Sequence, residues 1–237
     1  MVTSNGGGTG AGTLRAAITT ANGNGEDDTI TFTVNGLIPI GGTLRYTASD
    51  DLTIIGNGEA NTVIDGGNAR QVFDFEGSLG NIRIEQLTIQ NGNNSGSPGS
   101  PGGGGIGYTN TAASGVSFTL SHVLVANCTA KRNGGGIAID SVGILANSVL
   151  LEHVTVTGCT AGEEGGGITV GVRDLGTVNF IMRDSTVNNN SSNAGADGGG
   201  MYTEDGTYLY ERCTFASNQS ADQGSGLYAR GDAGATI

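Results

Sequence analysis

Short runs of alternating apolar and polar residues recur along the chain at intervals of about 30 residues. Such alternation is the period of a β-strand with one buried face. A second alternating run precedes each of these runs, and a third follows a group of glycines. Six of the central runs align with one another: LTIIGN from Leu52, LTIQNG from Leu87, VLVANC from Val123, VTVTGC from Val154, STVNNN from Ser185 and CTFASN from Cys213.

Three short strands in each repeat, with no helical period between them, predict a parallel β-solenoid. An antiparallel sandwich lacks this one-to-one correspondence, and the Leu-x-x-Leu-x-Leu frame of a leucine-rich repeat is missing. We therefore predict an all-β fold, a right-handed three-sided parallel β-helix of about six to seven coils, its handedness following the crossover rule. Residues 1–237 form one domain in this prediction, with a cap at 1–28 and coils at 29–237, and we expect the chain to be a fragment of a longer protein.

One stretch, GTLRAAITTAN, has the period of a helix instead. Thr13 can cap its N-terminus, and its apolar residues Leu14, Ala17, Ile18 and Ala21 fall on one face. Because the end of a solenoid exposes core and strand edges, we predict a short helix that covers the first coil.

In a solenoid, equivalent positions of successive repeats stack into columns about 4.8 Å apart. The third residue of the first aligned run is Ile54. The third residues of the later runs are predicted to point inward: Ile89, Val125, Val156, Val187 and Phe215. Three residues later stand Gly92, Cys128, Cys159, Asn190 and Asn218. Asparagine at such a turn can ladder its amides, whereas cysteine there acts as a small buried hydrophobe. A strained disulfide between Cys128 and Cys159 is the alternative.

The composition narrows the range of partners. The net charge is −12 and there are 45 glycines, and Lys131 is the only lysine. Nucleic acids and anionic membrane surfaces are poor partners for such a chain, because phosphate binding needs clustered Lys and Arg. No apolar run reaches the length of a membrane span. Abundant Asn, Thr and Gly with almost no lysine is typical of secreted bacterial surface proteins, so we expect an extracellular or cell-surface location.

The N-terminal GAGTLRAAITTANGNGEDDTITF and the repeated GGGI and TVxxCTA patterns resemble bacterial surface proteins with pectate-lyase-like right-handed β-helix repeats. The pairing of FASN, residues 215–218, with glycine-rich turns is similar to the polymorphic outer membrane protein repeat of autotransporter-type adhesins. The resemblance covers nearly the whole chain. It implies the β-helix fold and an exterior location, but no single activity, because such helices serve as adhesins, lyases and inert stalks. The chain departs from the autotransporter pattern by carrying valine where phenylalanine is usual.

Charged and imidazole side chains line one outward column of the predicted helix, at the end of a strand. Arg183 and Arg212, with Asp184 and Glu211 adjacent, are the best available catalytic set, although they are more typical of alternating charges at a strand corner. His122 and His153 share this column, and two in-line histidines do not form a chelating arrangement. We therefore expect solvated corner residues here and name no catalytic residue with preference.

Three further groups are candidates for binding. Leu150, Ile181 and Leu209 align as an outward aliphatic stripe, which indicates a partner or a covering loop. Tyr202 and Tyr228 occupy one outward position after the glycines, where stacked exposed rings would suit sugars. Edge loops of successive coils carry the weak calcium candidates: Glu163, Glu164, Asp197 and Asp222. Such acids more often keep a repetitive surface soluble, so no cofactor is expected and calcium remains the alternative.

The function favoured by these patterns is a non-catalytic extracellular β-helix scaffold with an adhesive or surface-structural role. Its partners would be a glycan, or the surface of a host or neighbouring cell. The first alternative is a carbohydrate-active enzyme, a polysaccharide lyase or hydrolase, which would need carboxylates and a base on one face. The second alternative is a self-associating fibre subunit, because an uncapped last coil offers free strand edges.

Overall fold

A computed structural model describes residues 1–96, 102–111, 115–142, 147–173, 178–193 and 195–231. Helix α1 spans Leu14–Asn24, and the rest of the secondary structure in the described ranges is β-strand. The strands are β1 (Asp28–Thr31), β2 (Gly36–Pro39), β3 (Leu44–Tyr46), β4 (Leu52–Ile55), β5 (Thr62–Asp65), β6 (Phe73–Gly77), β7 (Ile82–Gln90), β8 (Asn93–Asn94), β9 (Ile106–Asn110), β10 (Ser117–Ala126), β11 (Thr129–Ala130), β12 (Ile137–Val142), β13 (Asn147–Thr157), β14 (Thr160–Ala161), β15 (Ile168–Arg173), β16 (Val178–Arg183), β17 (Thr186–Asn188), β18 (Ser191–Ser192), β19 (Met201–Glu204), β20 (Gly206–Glu211), β21 (Thr214–Ala216) and β22 (Leu227–Arg230).

The strands form three parallel sheets that the chain visits in turn. The long sheet has the order β1-β4-β7-β10-β13-β16-β20, with β2, β5, β17 and β21 paired alongside. The short sheet is β8-β11-β14-β18, and the seven-stranded sheet is β3-β6-β9-β12-β15-β19-β22. Neighbours within each sheet come from successive repeats, so each repeat is one coil. The fold is the predicted right-handed three-sided parallel β-helix, with seven strands along the main path of its long sheet.

The register of these sheets confirms the predicted stacking from the second aligned run onward. Val125 pairs with Ile89 on one side and with Val156 on the other. Val156 in turn pairs with Val187, and Val187 with Phe215. The first four of these side chains are fully buried. They form the core of the helix together with the other inward columns.

The alignment of the first run was wrong. Leu52 pairs with Ile82, and Ile54 pairs with Ile84, whereas the partner of Ile89 is Ile64 in β5. In this early coil the two halves of the long sheet are separate strands, β4 and β5. Both halves alternate with the same period, so periodicity alone does not tell one half from the other.

The coils turn at residues with positive φ. One corner of the long sheet is formed by the predicted charged column, with φ between 48° and 54°. L-residues rarely adopt this conformation, since it brings Cβ close to the following carbonyl oxygen. The corner lets β10 and β13 continue from one face of the coil to the next. Its residues are Gln86, His122, His153, Asp184 and Arg212.

The second corner holds the predicted asparagine ladder. Oδ1 of Asn190 accepts a hydrogen bond from the Cys159 N–H at 2.9 Å, and its Nδ2 donates to the Val156 carbonyl at 3.0 Å and to Asn218 Oδ1 at 3.1 Å. Cys128 and Cys159 are free thiols in this column, so the disulfide alternative is not realised. A hydrogen bond with Cys159 and burial together raise the pKa of Cys128 well above its ordinary value. These thiols are packing groups.

Helix α1 closes the first coil as predicted. The Thr13 side chain accepts a hydrogen bond from the Ala16 N–H, and Gly25 ends the helix in the left-handed conformation. Leu14, Ile18 and Ala21 are buried against the coil. In the described part of the chain, no helix is both long and apolar enough to span a membrane.

Candidate functional site

The structure pairs the weak catalytic candidates with one another at the corner of the long sheet. Arg212 forms two hydrogen bonds to the Asp184 carboxylate, at 2.6 and 2.8 Å. Arg183 forms an ion pair with Glu211 at 2.6 Å. The hydrogen bond from Arg212 lowers the pKa of Asp184, which is therefore a stable carboxylate and a poor proton donor near neutral pH. This arrangement agrees with alternating charges at a corner.

The two histidines lie in the same corner column and stack on each other. Their ring centroids are 4.5 Å apart with an interplanar angle of 12°. Both side chains are exposed, and the hydroxyl of Ser121 lies 3.0 Å from His122 Nδ1. Parallel rings direct their nitrogens side by side rather than toward a common point. Among the described residues, no group of three or more His, Cys, Asp and Glu is placed to hold a metal ion.

The aliphatic stripe is assembled as the sequence predicts. Leu150 pairs with Ile181, and Ile181 with Leu209, so the three side chains follow one another across β13, β16 and β20. Exposure increases along the stripe: Leu150 and Ile181 are half-buried, and Leu209 is 42% exposed. The stripe is an apolar line on an outer face of the long sheet, and its role as a partner surface stays a prediction.

The tyrosine pair is stacked, but the expectation that both rings are exposed was wrong. Tyr202 and Tyr228 have ring centroids 5.6 Å apart at 17°. Tyr202 is only 1% exposed, whereas Tyr228 is half-buried. The turn before β19 packs against Tyr202, since a Cβ added at Gly198 would lie 2.8 Å from the Cβ of Tyr202. Thr169 and Tyr228 flank Tyr202 in the neighbouring coils. Tyr228 lies in β22, the last described strand, and of the two rings it is the one that is partly exposed.

Two charged residues complete this site. The Tyr202 hydroxyl donates to Glu204 Oε1 at 2.7 Å, and Arg230 Nη1 lies 3.3 Å from the same oxygen. Burial, followed by the hydrogen bond to Glu204, raises the pKa of Tyr202, so its hydroxyl stays protonated. Tyr202, Glu204, Tyr228 and Arg230 are called the tyrosine cluster below. It joins an aromatic surface to an arginine and a carboxylate.

Sequence reasoning found the tyrosines and missed Glu204 and Arg230. The signal was available, because residues two positions after the tyrosines also point outward. That next outward column contains Asp140, Gly171 and Glu204 in successive coils. A Cβ at Gly171 would lie 3.4 Å from Asp140 Oδ1 and 4.0 Å from Glu204 Oε2. The two carboxylates thus face each other over a glycine.

The weak calcium candidates are spread along the edge loops and have contacts of their own. Glu163 forms an ion pair with Arg132 at 3.4 Å. Asp197 Oδ1 accepts from the Gln223 N–H at 2.9 Å, and the Asp222 N–H donates to the Ser220 hydroxyl. Burial raises the pKa of Glu164, with smaller contributions from neighbouring carboxylates including Glu204. In the described ranges, no three of these acids are placed to hold a metal ion together.

Comparisons with known proteins yield few similarities. No protein-family model matches the chain, and no curated protein matches its sequence. A solved structure of a pectin methylesterase variant in complex with a hexasaccharide is similar over 97% of this chain and 80% of its own, at 12% identity and a TM-score of 0.39. The Agl-KA catalytic domain is similar over 92% of this chain and 65% of its own, at 12% identity and a TM-score of 0.26. At these values no activity carries over to this chain.

Proposed function

We propose that this protein is a non-catalytic extracellular β-helix with an adhesive or surface-structural role, and that it binds glycans at the tyrosine cluster. The observation that carries the proposal is the half-buried ring of Tyr228, stacked on Tyr202 with Arg230 and Glu204 beside it. Aromatic faces pack against the C–H faces of sugar rings, and planar charged groups hydrogen-bond their hydroxyls.

The corner ion pairs support a non-catalytic role. Arg183 and Arg212, the bases considered for lyase chemistry, are each held by a carboxylate. A charged arginine paired in this way is a poor proton acceptor. The acidic surface, with one lysine in the whole sequence, supports an extracellular role for a repetitive scaffold.

Glycan arrays followed by calorimetry test the proposal. Tyr228→Ala removes the partly exposed ring, and we expect it to weaken binding of any glycan hit by about 5- to 30-fold, since stacking and lost area add to about 1–2 kcal/mol. Arg230→Ala should weaken binding to a smaller degree. Arg212→Ala is the matched control, because Arg212 is a similarly exposed arginine in an arginine–carboxylate pair at another edge. Equal affinities of the Tyr228 and Arg212 variants would contradict the proposal.

The alternative of a carbohydrate-active enzyme is favoured by one observation, the pair of carboxylates that face each other over Gly171. Two carboxylates that flank a gap are the usual machinery of glycoside hydrolysis. A panel of polysaccharides read by reducing ends or by unsaturated product tests this alternative. An activity lost in Glu204→Gln and kept in Glu211→Gln would establish the enzyme and reject the non-catalytic proposal.

A further inference from the structure

Two arginines differ from the other arginines whose side chains the structure describes. Six of these residues form an ion pair with a carboxylate: Arg45, Arg83, Arg132, Arg183, Arg212 and Arg230. Arg15 and Arg70 form none with the described residues, although the sequence has 22 acidic residues and only 10 basic ones. In so acidic a chain, two arginines without a carboxylate partner among the described residues are unexpected.

These two arginines are close together, although 55 positions in the sequence separate residues 15 and 70. Arg15 extends from helix α1 and donates to the backbone carbonyls of Gly42 and Thr43. Arg70 follows the turn after β5, one coil after Gly42 and Thr43, and its Nη1 lies 3.4 Å from the Ile40 carbonyl oxygen. Burial and then the charge of Arg70 lower the pKa of Arg15. Two like charges near each other and partly removed from water are unfavourable without a counter-charge.

Arg70 lines a polar pocket of about 190 Å³, together with Thr43, Gln71, Asn93, Asn94 and Ser95. Two of these side chains hold one wall in place, because Gln71 Nε2 and Asn94 Nδ2 both donate to the Gly102 carbonyl, at 3.1 and 2.7 Å.

The pocket has unused donors. The guanidinium of Arg70 has one hydrogen bond to the described protein. The hydroxyls of Thr43 and Ser95 have no hydrogen-bond partner among the described residues. A guanidinium offers five N–H donors in a planar fork that matches an oxyanion. No carboxylate of the described residues lines this pocket.

We propose that the pocket at Arg70 binds an oxyanion, the carboxylate or sulfate group of an acidic saccharide or the free inorganic anion, with Arg15 adding positive charge from helix α1. Arg70 makes the bidentate contact, and the hydroxyls of Thr43 and Ser95 bind the remaining oxygens. The site is independent of the tyrosine cluster. The pocket lies just before β6, the cluster begins in β19, and three strands of the same sheet lie between them: β9, β12 and β15.

Titrations followed by amide NMR, at constant ionic strength, test the site. The probes are sodium sulfate, glucuronate and glucose, which separate a free inorganic anion, a sugar carboxylate and a neutral sugar. We expect saturable shifts of the Gln71, Asn94 and Gly96 amides with at least one of the two anions and none with glucose. Arg70→Gln should weaken binding about tenfold or more, because glutamine has neither the charge nor the planar fork of donors that the oxyanion would contact.

Arg70→Lys and Arg212→Gln are the companion variants. Lysine keeps the charge and loses the planar fork, so Arg70→Lys should bind with intermediate affinity. Arg212→Gln removes an exposed arginine elsewhere and should bind as the unchanged protein does. Three results would overturn the proposal: no saturable shift with either anion, equal affinity in Arg70→Gln, or equal binding of glucose.

Discussion

Replacement of Asn190 by alanine tests how far the coils depend on the buried ladder. The side chain of Asn190 is 1% exposed and makes hydrogen bonds to the Cys159 N–H, the Val156 carbonyl and Asn218 Oδ1. Alanine would leave the buried Cys159 N–H without its acceptor, at a cost of about 1–3 kcal/mol, and would remove two further hydrogen bonds of about 1 kcal/mol each. We expect Asn190→Ala to lower the free energy of unfolding by roughly 3–5 kcal/mol.

Two variants serve as controls. Asn179→Ala removes the same amide from an exposed position on β16, and its effect should stay within about 0.5 kcal/mol. Asn190→Cys introduces the residue that the two preceding coils carry at this corner, Cys128 and Cys159. It restores part of the volume and should lose less stability than Asn190→Ala.

Urea denaturation followed by circular dichroism and tyrosine fluorescence measures these differences, as the chain has no tryptophan and 6 tyrosines. Hydrogen exchange adds a local measurement, because the Cys159 amide loses its acceptor in Asn190→Ala and should exchange faster. A loss below about 1 kcal/mol together with an unchanged Cys159 exchange rate would refute the reasoning.

Three further predictions follow from the corners and the glycines. Arg212→Ala should raise the pKa of Asp184 toward its ordinary value in a carboxyl NMR titration, and an unmoved pKa would disprove the pairing. The pair stabilises the fold above the unfolded-state pKa of Asp184, and this stabilisation is lost as the pH falls through the folded-state pKa. The fall in folding stability at acidic pH should therefore be smaller in Arg212→Ala. His153→Val places a β-branched residue at φ 53° and should lower the free energy of unfolding, measured in urea, by about 1–2 kcal/mol. His153→Asn should lower it little, because asparagine tolerates a positive φ. Equal stabilities of the two variants would argue against a strained corner. Gly136→Ala puts a Cβ 2.9 Å from a backbone oxygen of the next coil and should destabilise the fold by about 1–3 kcal/mol, which lowers the melting temperature. Gly23→Ala is the control, because its Cβ meets nothing within 4 Å and its melting temperature should not fall. Equal melting temperatures of the two variants would contradict the proposed clash.

The repetition in the sequence was sufficient to predict the β-helix and its inward columns from the second aligned run onward, and a local helical period predicted the capping helix. In a parallel in-register stack, each residue contacts its equivalents in the neighbouring coils, so an alignment of repeats is already a contact map. Val125, Val156 and Val187 illustrate this, because their sequence alignment is also their hydrogen-bonded register. The stripe of Leu150, Ile181 and Leu209 follows from the same property.

Features that do not repeat needed the tertiary structure. The early coils contain Ile54 and Ile64 on separate strands, and period-two alternation fits either of them to Ile89. The burial of Tyr202 depends on how the preceding turn folds over the sheet, which strand periodicity does not encode. Arg15 and Arg70 belong to a helix and a turn outside the repeat, so only the winding of the chain brings their charges together. Local periodicity thus specifies what stacks, whereas irregular turns and the cap create the pockets, because their contacts have no equivalent in the next coil.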